Sequence, residues 1–419
     1  MKILERLNKA IPFWPLILLY VAAIAVLSKN TPQGDEIRYF NYAELLLKGT
    51  FVSDPADPSI SNGPGLPLLC ALFLVLRIPL YWSHFINAFF FWGTLVYLKK
   101  CMTMFTEEKK ATRFAYFFGL YPLFFVKFVP DHKPEIICLL LLTGFFYYFM
   151  RIVHQADLKP KNFILGGLYF GFIILVKAQF AYLAIAGILF SLIYFAFTRQ
   201  KKGIHTAILM ASSFVITIPY LIYTFSLTGK SFYWVTNGGE QLYWMTTPYE
   251  GQWGNWISPY TILTDSAKYP PEQVEFFKEI RDSKRIRQQE LYIEAAKENF
   301  NTHPESYIKN YIANWGRMTV NFPHTYTPQS LDTFVYIVSN VPYLILFLLS
   351  FIPLWTHWRR LPYYLVAMFL LSMMYLGGTS LLSAVNRYSV LALPFIIIWL
   401  AFIEENFVTL KIKSNVSKH

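Results

Sequence analysis

Long apolar runs alternate with short polar connectors along most of this chain. Ile11–Leu27, Phe114–Val126, Ile136–Met150, Tyr343–Trp355 and Tyr363–Leu376 are the centres of longer, mostly apolar stretches. About 18 such residues are enough to cross a bilayer as a helix. The pattern predicts ten spans, at 11–29, 80–99, 113–129, 135–153, 163–178, 180–198, 206–226, 334–355, 362–380 and 389–406. The expected fold class is therefore all-α, a polytopic membrane protein.

Two segments interrupt the alternation. Residues 30–79 hold a short amphipathic pattern, Tyr39–Leu47, then the proline- and glycine-broken Asn62-Gly63-Pro64-Gly65-Leu66-Pro67, then an apolar stretch, Leu68–Leu76, too short to span alone. This predicts helices that lie on the membrane surface or enter it partway. Residues 227–333 are too polar for lipid. Their first half reads as irregular and aromatic, with Trp234, Trp244, Trp253 and Trp256 among glycines. Their second half reads as helical. Pro270-Pro271-Glu272 opens one helix, with prolines where no backbone donor is missed, and Asn301–Pro304 separates it from a second helix through Trp315. The expected division is a transmembrane region at 1–226 that carries the outer loop 30–79, a small extracytoplasmic subdomain at 227–333, and C-terminal transmembrane helices with a tail at 334–419.

Charge adds orientation. One set of short loops collects Lys2, Arg6 and Lys9; Lys99, Lys100, Lys109, Lys110 and Arg113; Arg151, Lys159 and Lys161; Arg199, Lys201 and Lys202; Arg359 and Arg360; and Lys411, Lys413 and Lys418. Cytoplasmic loops are the ones enriched in Lys and Arg, so both termini are expected inside and the two long polar segments outside. The apolar run after the basic N-terminus exceeds the roughly 7–15 residues of a signal-peptide core and reads as an uncleaved first span. Only 15% of residues are charged, against about 25% in soluble domains. The net charge of +12 follows from the loop cations, and no nucleic-acid motif accompanies it. Cys70, Cys101 and Cys138 lie in or beside apolar runs without metal-ligand spacing and read as packing residues.

The chemistry-bearing residues fall at the outer ends of the expected spans: Asp35 and Glu36; Asp131, His132, Lys133 and Glu135; Lys177; and Arg387. Ionisable groups at such depth are costly and tend to mark function. A carboxylate there can take a proton from an acceptor hydroxyl, and fixed cations can stabilise charge on a departing phosphate. Plainer readings stand beside these. Asp35 could cap a helix, and Asp131 could belong to a polar turn between Pro130 and Pro134. Lys177 and Arg387, like Arg38, Lys127 and Lys133, could snorkel to headgroups. His132 reads as a solvated turn residue rather than a metal ligand. The loop tryptophans read as an interfacial aromatic belt.

Gly34-Asp35-Glu36-Ile37-Arg38-Tyr39, followed by Ala43 and then by Asn62-Gly63-Pro64-Gly65-Leu66-Pro67, resembles the first outer loop of C-type membrane glycosyltransferases, in particular the protein O-mannosyltransferases and lipid A aminoarabinose transferases. Asp131 with Glu135 resembles their second outer-loop acidic position. Lys177, in Leu175-Val176-Lys177-Ala178-Gln179 after Gly166, Gly167 and Gly171, resembles their cation at the end of a glycine-rich span. Arg387-Tyr388, with Pro394 beyond, and Thr236-Asn237-Gly238-Gly239 resemble a late Arg-Tyr motif and the start of their large outer loop. The chain is shorter than the mannosyltransferases, and its outer loop is smaller than that of the aminoarabinose enzymes.

The resemblance implies an inverting transfer of a sugar from a polyprenyl-phosphate donor to an envelope glycolipid, glycan or protein, on the outer face of a bacterial plasma membrane. Asp35 would be the catalytic base, with Glu36 and Asp131 as the other catalytic carboxylates. Arg38, Tyr39, Glu135, Lys177, Arg387 and Tyr388 would bind substrate. The lipid-linked donor is the only cofactor-like molecule expected, and the metal requirement is open. Two rivals remain: an O-antigen ligase or polymerase, and a lipid or sugar transporter. Transporters commonly carry internal repeats and midplane binding residues, and the sequence shows neither.

Overall fold

The computed structural model describes residues 11–324 and 331–407, and these form helices with no strand among them. The helices are α1 (Trp14–Leu27), α2 (Asp35–Leu47), α3 (Gly65–Val75), α4 (Ile86–Met102), α5 (Glu108–Gly119), α6 (Pro134–Val153), α7 (Pro160–Val176) and α8 (Gln179–Thr198). They continue as α9 (Lys201–Thr228), then α10 (Gly238–Thr246), α11 (Pro271–Asp282), α12 (Arg285–Thr302), α13 (Pro304–Val320), α14 (Leu331–Leu354), α15 (Tyr363–Ser380) and α16 (Tyr388–Phe407). Single helical turns between them are left unlabelled.

Six of these, α6, α8, α9, α14, α15 and α16, are long and apolar enough to cross a membrane, and α1, α3 and α7 are apolar but shorter. Ten spans are expected, so the count is not matched by helices of spanning length among the described residues; the one expected at 80–99 begins only at Ile86, after the separate turn Leu80–Ser83. The span expected at 113–129 is not one helix: α5 starts earlier and ends at Gly119, and a π-helical stretch follows at Phe124–Phe128. Pro122 accounts for the break, because proline pushes the residue before it out of helical geometry. The cations expected at Lys2, Arg6, Lys9, Lys411, Lys413 and Lys418 lie outside the described residues.

Helix α6 is the hub. Protein covers 78% of its apolar window, against 28–33% for α8, α9 and α14. The exposed faces of those three carry Leu189, Phe197, Ile222 and Ile352, as expected of helices that meet lipid. Cys70, Cys101 and Cys138 are buried and unbridged.

Close backbone approach positions the ends of the helices. A Cβ on Gly171 of α7 would lie 2.3 Å from the Ser213 carbonyl of α9, so only glycine lets these two helices touch. A Cβ on Gly63 would lie 2.1 Å from the Leu175 carbonyl. The Asn62–Pro67 turn therefore rests directly on the last turn of α7. The adjoining spans expected at 163–178 and 180–198 are two separate helices, α7 and α8, with Lys177 extended (φ −133°, ψ 99°) between them.

The segment 30–79 folds as a helical pair. Tyr39 and Ala43 of α2 pack on Leu66, Cys70 and Ala71 of α3. The Thr236 N–H donates to the Ile60 carbonyl at 2.7 Å, and the Ile60 N–H donates to the Thr236 hydroxyl at 2.9 Å, which ties this segment to the start of the second polar one. The second segment has its own core of Tyr243, Trp244, Ile262, Phe277 and Tyr292. Its first half is less irregular than expected, because α10 forms there. Its second half contains a further break at Ser283–Lys284, and α13 runs past Trp315 to Val320. Trp234 and Trp244 are buried core residues, not an interfacial belt. Asn314 of α13 donates to the Ser380 and Leu382 carbonyls at 3.0 and 2.8 Å, joining the segment to the end of α15.

Gly63→Ala should destabilise the protein by about 1–3 kcal/mol, the usual cost of forcing an atom into a packed site. Gly377→Ala, where an added Cβ meets nothing within 4 Å, should be neutral or stabilising by up to about 1 kcal/mol. Thermal unfolding of both variants in detergent checks the pair. Equal stability would mean that the turn does not rest on α7.

Candidate functional site

Asp35 is the first residue of α2, after Gly34 at a positive φ of 53° that favours glycine. The helix has no side-chain cap, so the capping reading of Asp35 does not hold. Its carboxylate instead meets two guanidinium groups. Arg38 lies 2.8 Å from Oδ1, and Arg387 donates to Oδ2. Arg387 also places Nε 3.4 Å from Oε1 of Glu135, and Lys177 Nζ sits 2.8 Å from the same oxygen. The Lys177 ammonium lies over the Tyr388 ring, 4.3 Å from its centre. Arg38 lies 5.9 Å from the centre of the Tyr39 ring.

Local sequence explains each placement. Pro134 at the first helical position fixes the start of α6 and sets Glu135 in its first turn. Lys177 is itself the extended residue between α7 and α8, and Gly63 packs on the carbonyl of Leu175, two residues before it. Arg387 precedes the 3₁₀ turn Tyr388–Ala392 that opens α16. Four separate segments thus converge on one array, and the expected residues Asp35, Arg38, Tyr39, Glu135, Lys177, Arg387 and Tyr388 all belong to it.

The array is buried at its Glu135–Lys177 end and half-buried at Asp35, Arg387 and Arg38. Glu135 is 0% and Lys177 8% exposed, so snorkelling does not describe Lys177. Three cations against two carboxylates leave one net positive charge. Burial alone would raise the Asp35 carboxyl, but the Arg387 and Arg38 charges outweigh it and hold the group below the usual carboxylate range. Burial would discharge Arg387, yet Glu135 and Asp35 keep it charged. Glu135 Oε2 is buried and accepts no hydrogen bond from the described residues, so the array retains one unused acceptor.

The array lies at the opposite end of α16 from the basic loops. Lys110 lies 2.7 Å from Glu405, and Arg113 pairs with Glu404, both near the C-terminal end of that helix. Twenty residues at 1.5 Å each separate the two ends by roughly 30 Å.

Glu36 and Asp131 fall elsewhere. Glu36 points away from Asp35 and accepts from His84 Nε2 at 2.8 Å and from the His132 backbone N–H at 2.7 Å. Burial raises its carboxyl, and these two contacts bring it below the usual range. Asp131 pairs with Lys133 at 3.1 Å and is 40% exposed; no hydrogen bond or ion pair joins it to the array. His132 is 2% exposed, not a solvated turn residue. Burial, then the neighbouring His84, push its imidazole down to about 3. Lys127 pairs with Asp332 at 2.8 Å, also apart from the array. Sequence reasoning missed His84 and Asn87. Asn87 donates to the Val129 and Asp131 carbonyls at 2.9 and 3.0 Å and holds that turn. Polar residues at the start of an otherwise apolar helix were the available signal.

A cavity of about 310 Å³ lies between residues 59–61 and helices α10–α12, and its walls include no residue of the array. Ser59, Thr236, Glu240, Tyr260, Arg285 and Tyr292 are among its walls. Burial raises the Glu240 carboxyl, opposed by the Trp256 indole N–H, Arg285 and Arg38.

No protein family matches the chain in sequence, and no curated protein does. Among solved structures, ArnT from Cupriavidus metallidurans in the apo state is similar over 93% of this chain and 75% of that one, with 14% identity and a TM-score of 0.38. The same protein bound to undecaprenyl phosphate is similar over 93% and 76%, with 12% identity and a TM-score of 0.39. Likeness at this level says nothing of what this chain binds.

Glu135→Gln should cost about 3–5 kcal/mol, because it leaves buried cations without their partner. Lys177→Met combined with it should recover a large part of that loss, since contacting charges are not additive. Denaturation of the two single variants and the double variant in detergent measures the coupling. Simple additivity would show that Lys177 and Glu135 do not form the pair.

Proposed function

We propose that this protein is an inverting glycosyltransferase that moves a sugar from a polyprenyl-phosphate donor to an envelope acceptor on the outer face of a bacterial plasma membrane. The observation that supports this best is the array itself: one carboxylate, Asp35, held by the same arginine that a phosphate would attract. A lipid-linked sugar phosphodiester carries one negative charge, which matches the net positive charge of the array. Arginine suits such a ligand because its planar fork can give two parallel hydrogen bonds to phosphate oxygens.

The donor phosphate enters between Arg387 and Lys177 and competes with Asp35 for the guanidinium. Glu135 keeps both cations oriented, and the Tyr388 ring holds the ammonium from the side. Asp35, released from Arg387, accepts the proton of the acceptor hydroxyl as its oxygen attacks the anomeric carbon. The bond from that carbon to the phosphate oxygen breaks, and its electron pair leaves with the polyprenyl phosphate. Arg387 and Lys177 stabilise the added charge on the leaving group. A single displacement from the opposite face inverts the anomeric centre. Arg38, the more exposed of the two arginines on Asp35, guides the acceptor, which occupies the cavity walled by Tyr260 and Tyr292.

The position of the array, at helix ends and not midway along the spans, speaks against a transporter. The Asp35–Arg387 pair also favours a carboxylate base over a ligase that relies on arginines alone.

Asp35→Asn keeps size and most hydrogen bonding but removes the base. The variant should fold and bind donor, and lose about 10²–10⁴-fold in transfer rate. Purified protein, a labelled polyprenyl-phosphate sugar and a membrane extract as acceptor source test this. Transfer within a few-fold of wild type would end the mechanism drawn here.

A further inference from the structure

On the face of α2 turned away from Asp35 lies a second polar group, which the transfer mechanism does not use. Glu36, His84 and His132 each offer a ligand atom, and these atoms lie within 4.8 Å of one another. They are 4%, 1% and 2% exposed, in a region otherwise apolar. Phe73 stacks on His132 at 5.4 Å, and the two imidazole rings are 4.6 Å apart.

Hydrogen bonding fixes what these groups can offer. The Ser83 hydroxyl donates to the Leu80 carbonyl at 2.6 Å, so at 2.7 Å from His132 Nε2 it must accept. His132 therefore carries its proton on Nε2 and a lone pair on Nδ1. His84 Nε2 meets the Glu36 carboxylate at 2.8 Å. His84 Nδ1 is buried and has no hydrogen-bond partner among the described residues. A buried imidazole nitrogen left unpaired is costly. A cation at this point would give it a reason to be there.

We propose that Glu36, His84 and His132 form a binding site for a divalent transition-metal ion of the zinc type. Two imidazoles and one carboxylate are a donor set suited to zinc. The orienting partner that metal-bound histidines usually have is present, because Ser83 fixes His132 through its other ring nitrogen. The three ligands come from α2, from the residue after the helical turn Leu80–Ser83, and from the turn before α6. The ion would join three segments far apart in sequence. It would hold α2 in place, and with it the residue next to Glu36, Asp35. Three protein ligands leave a fourth position, which a water would fill, and enclosure by Phe73 and the two rings suits the ion to hold structure. The assignment stands apart from the transferase reading, since its test needs no substrate.

The full chain, purified in detergent and stripped with a chelator, is titrated with zinc chloride, and bound metal is measured by mass spectrometry of the element. About one zinc per chain is expected, with nitrogen and oxygen neighbours at about 2.0–2.1 Å and imidazole scattering in the X-ray absorption spectrum. Ser83→Ala leaves all three ligands but frees His132, and should weaken zinc binding about 10–100-fold. His84→Gln should abolish stoichiometric binding, whereas His303→Ala, at a half-exposed histidine outside the group, should not change it. Wild-type protein that takes up no zinc, zinc without imidazole neighbours, or full binding by His84→Gln would each overturn the assignment.

Discussion

Arg387 must satisfy two carboxylates at once, and one end of the helix bundle is arranged around that demand. Its guanidinium pairs with Asp35 on one side and lies 3.4 Å from Glu135 on the other. A charge out of water costs several kcal/mol even after the protein relaxes, so this half-buried arginine can stay withdrawn from water only where both partners are delivered. Asp35 arrives on a helix that packs on α3, Glu135 on a helix start set by proline, and Lys177 at a joint between α7 and α8. The glycines of the Asn62–Pro67 turn and of α7 are packing devices that bring these backbones close enough. Such an arrangement is rarely the most stable choice, since an apolar replacement of similar volume often does as well or better. Its retention is better explained by what it can bind.

Much of this was legible in the sequence because the bilayer simplifies it. Apolar runs announce helices, and the ionisable residues left at one set of their ends are few enough to be noticed singly. Asp35, Lys177 and Arg387 were found this way, and they do converge. What a linear pattern cannot show is which way adjacent side chains point. Asp35 and Glu36 are neighbours in sequence, yet successive helical residues point in different directions, and one joins the array while the other joins two histidines. His132 read as a turn residue because its partners, Ser83 and His84, are distant in sequence. The helix expected at 113–129 failed at Pro122, a breaker hidden inside an apolar run. The segment 227–333 was underestimated for a similar reason. Its tryptophans suggested an interface, but a polar segment of this length can build a small core of its own, and Trp244 is at its centre.

The proposed transferase rests on charge balance and position more than on any single contact. Two carboxylates and three cations leave one positive charge, and a sugar-phosphate diester supplies its complement. The resting pair between Asp35 and Arg387 also gives the donor a role beyond supplying sugar, because its phosphate would release the base when it binds. An empty site would then keep its base occupied, and water would be a poor substitute for the acceptor.

Native mass spectrometry of the protein extracted from its own membrane tests the phosphate-binding claim most directly. The account predicts a retained lipid with the mass of a polyprenyl phosphate, with or without an attached sugar, that is lost from Arg387→Ala. A lost charge-assisted contact of about 1.5–3 kcal/mol would weaken binding roughly 10–100-fold. Wild type and variant carrying the same bulk phospholipids, with no polyprenyl phosphate in either, would contradict it.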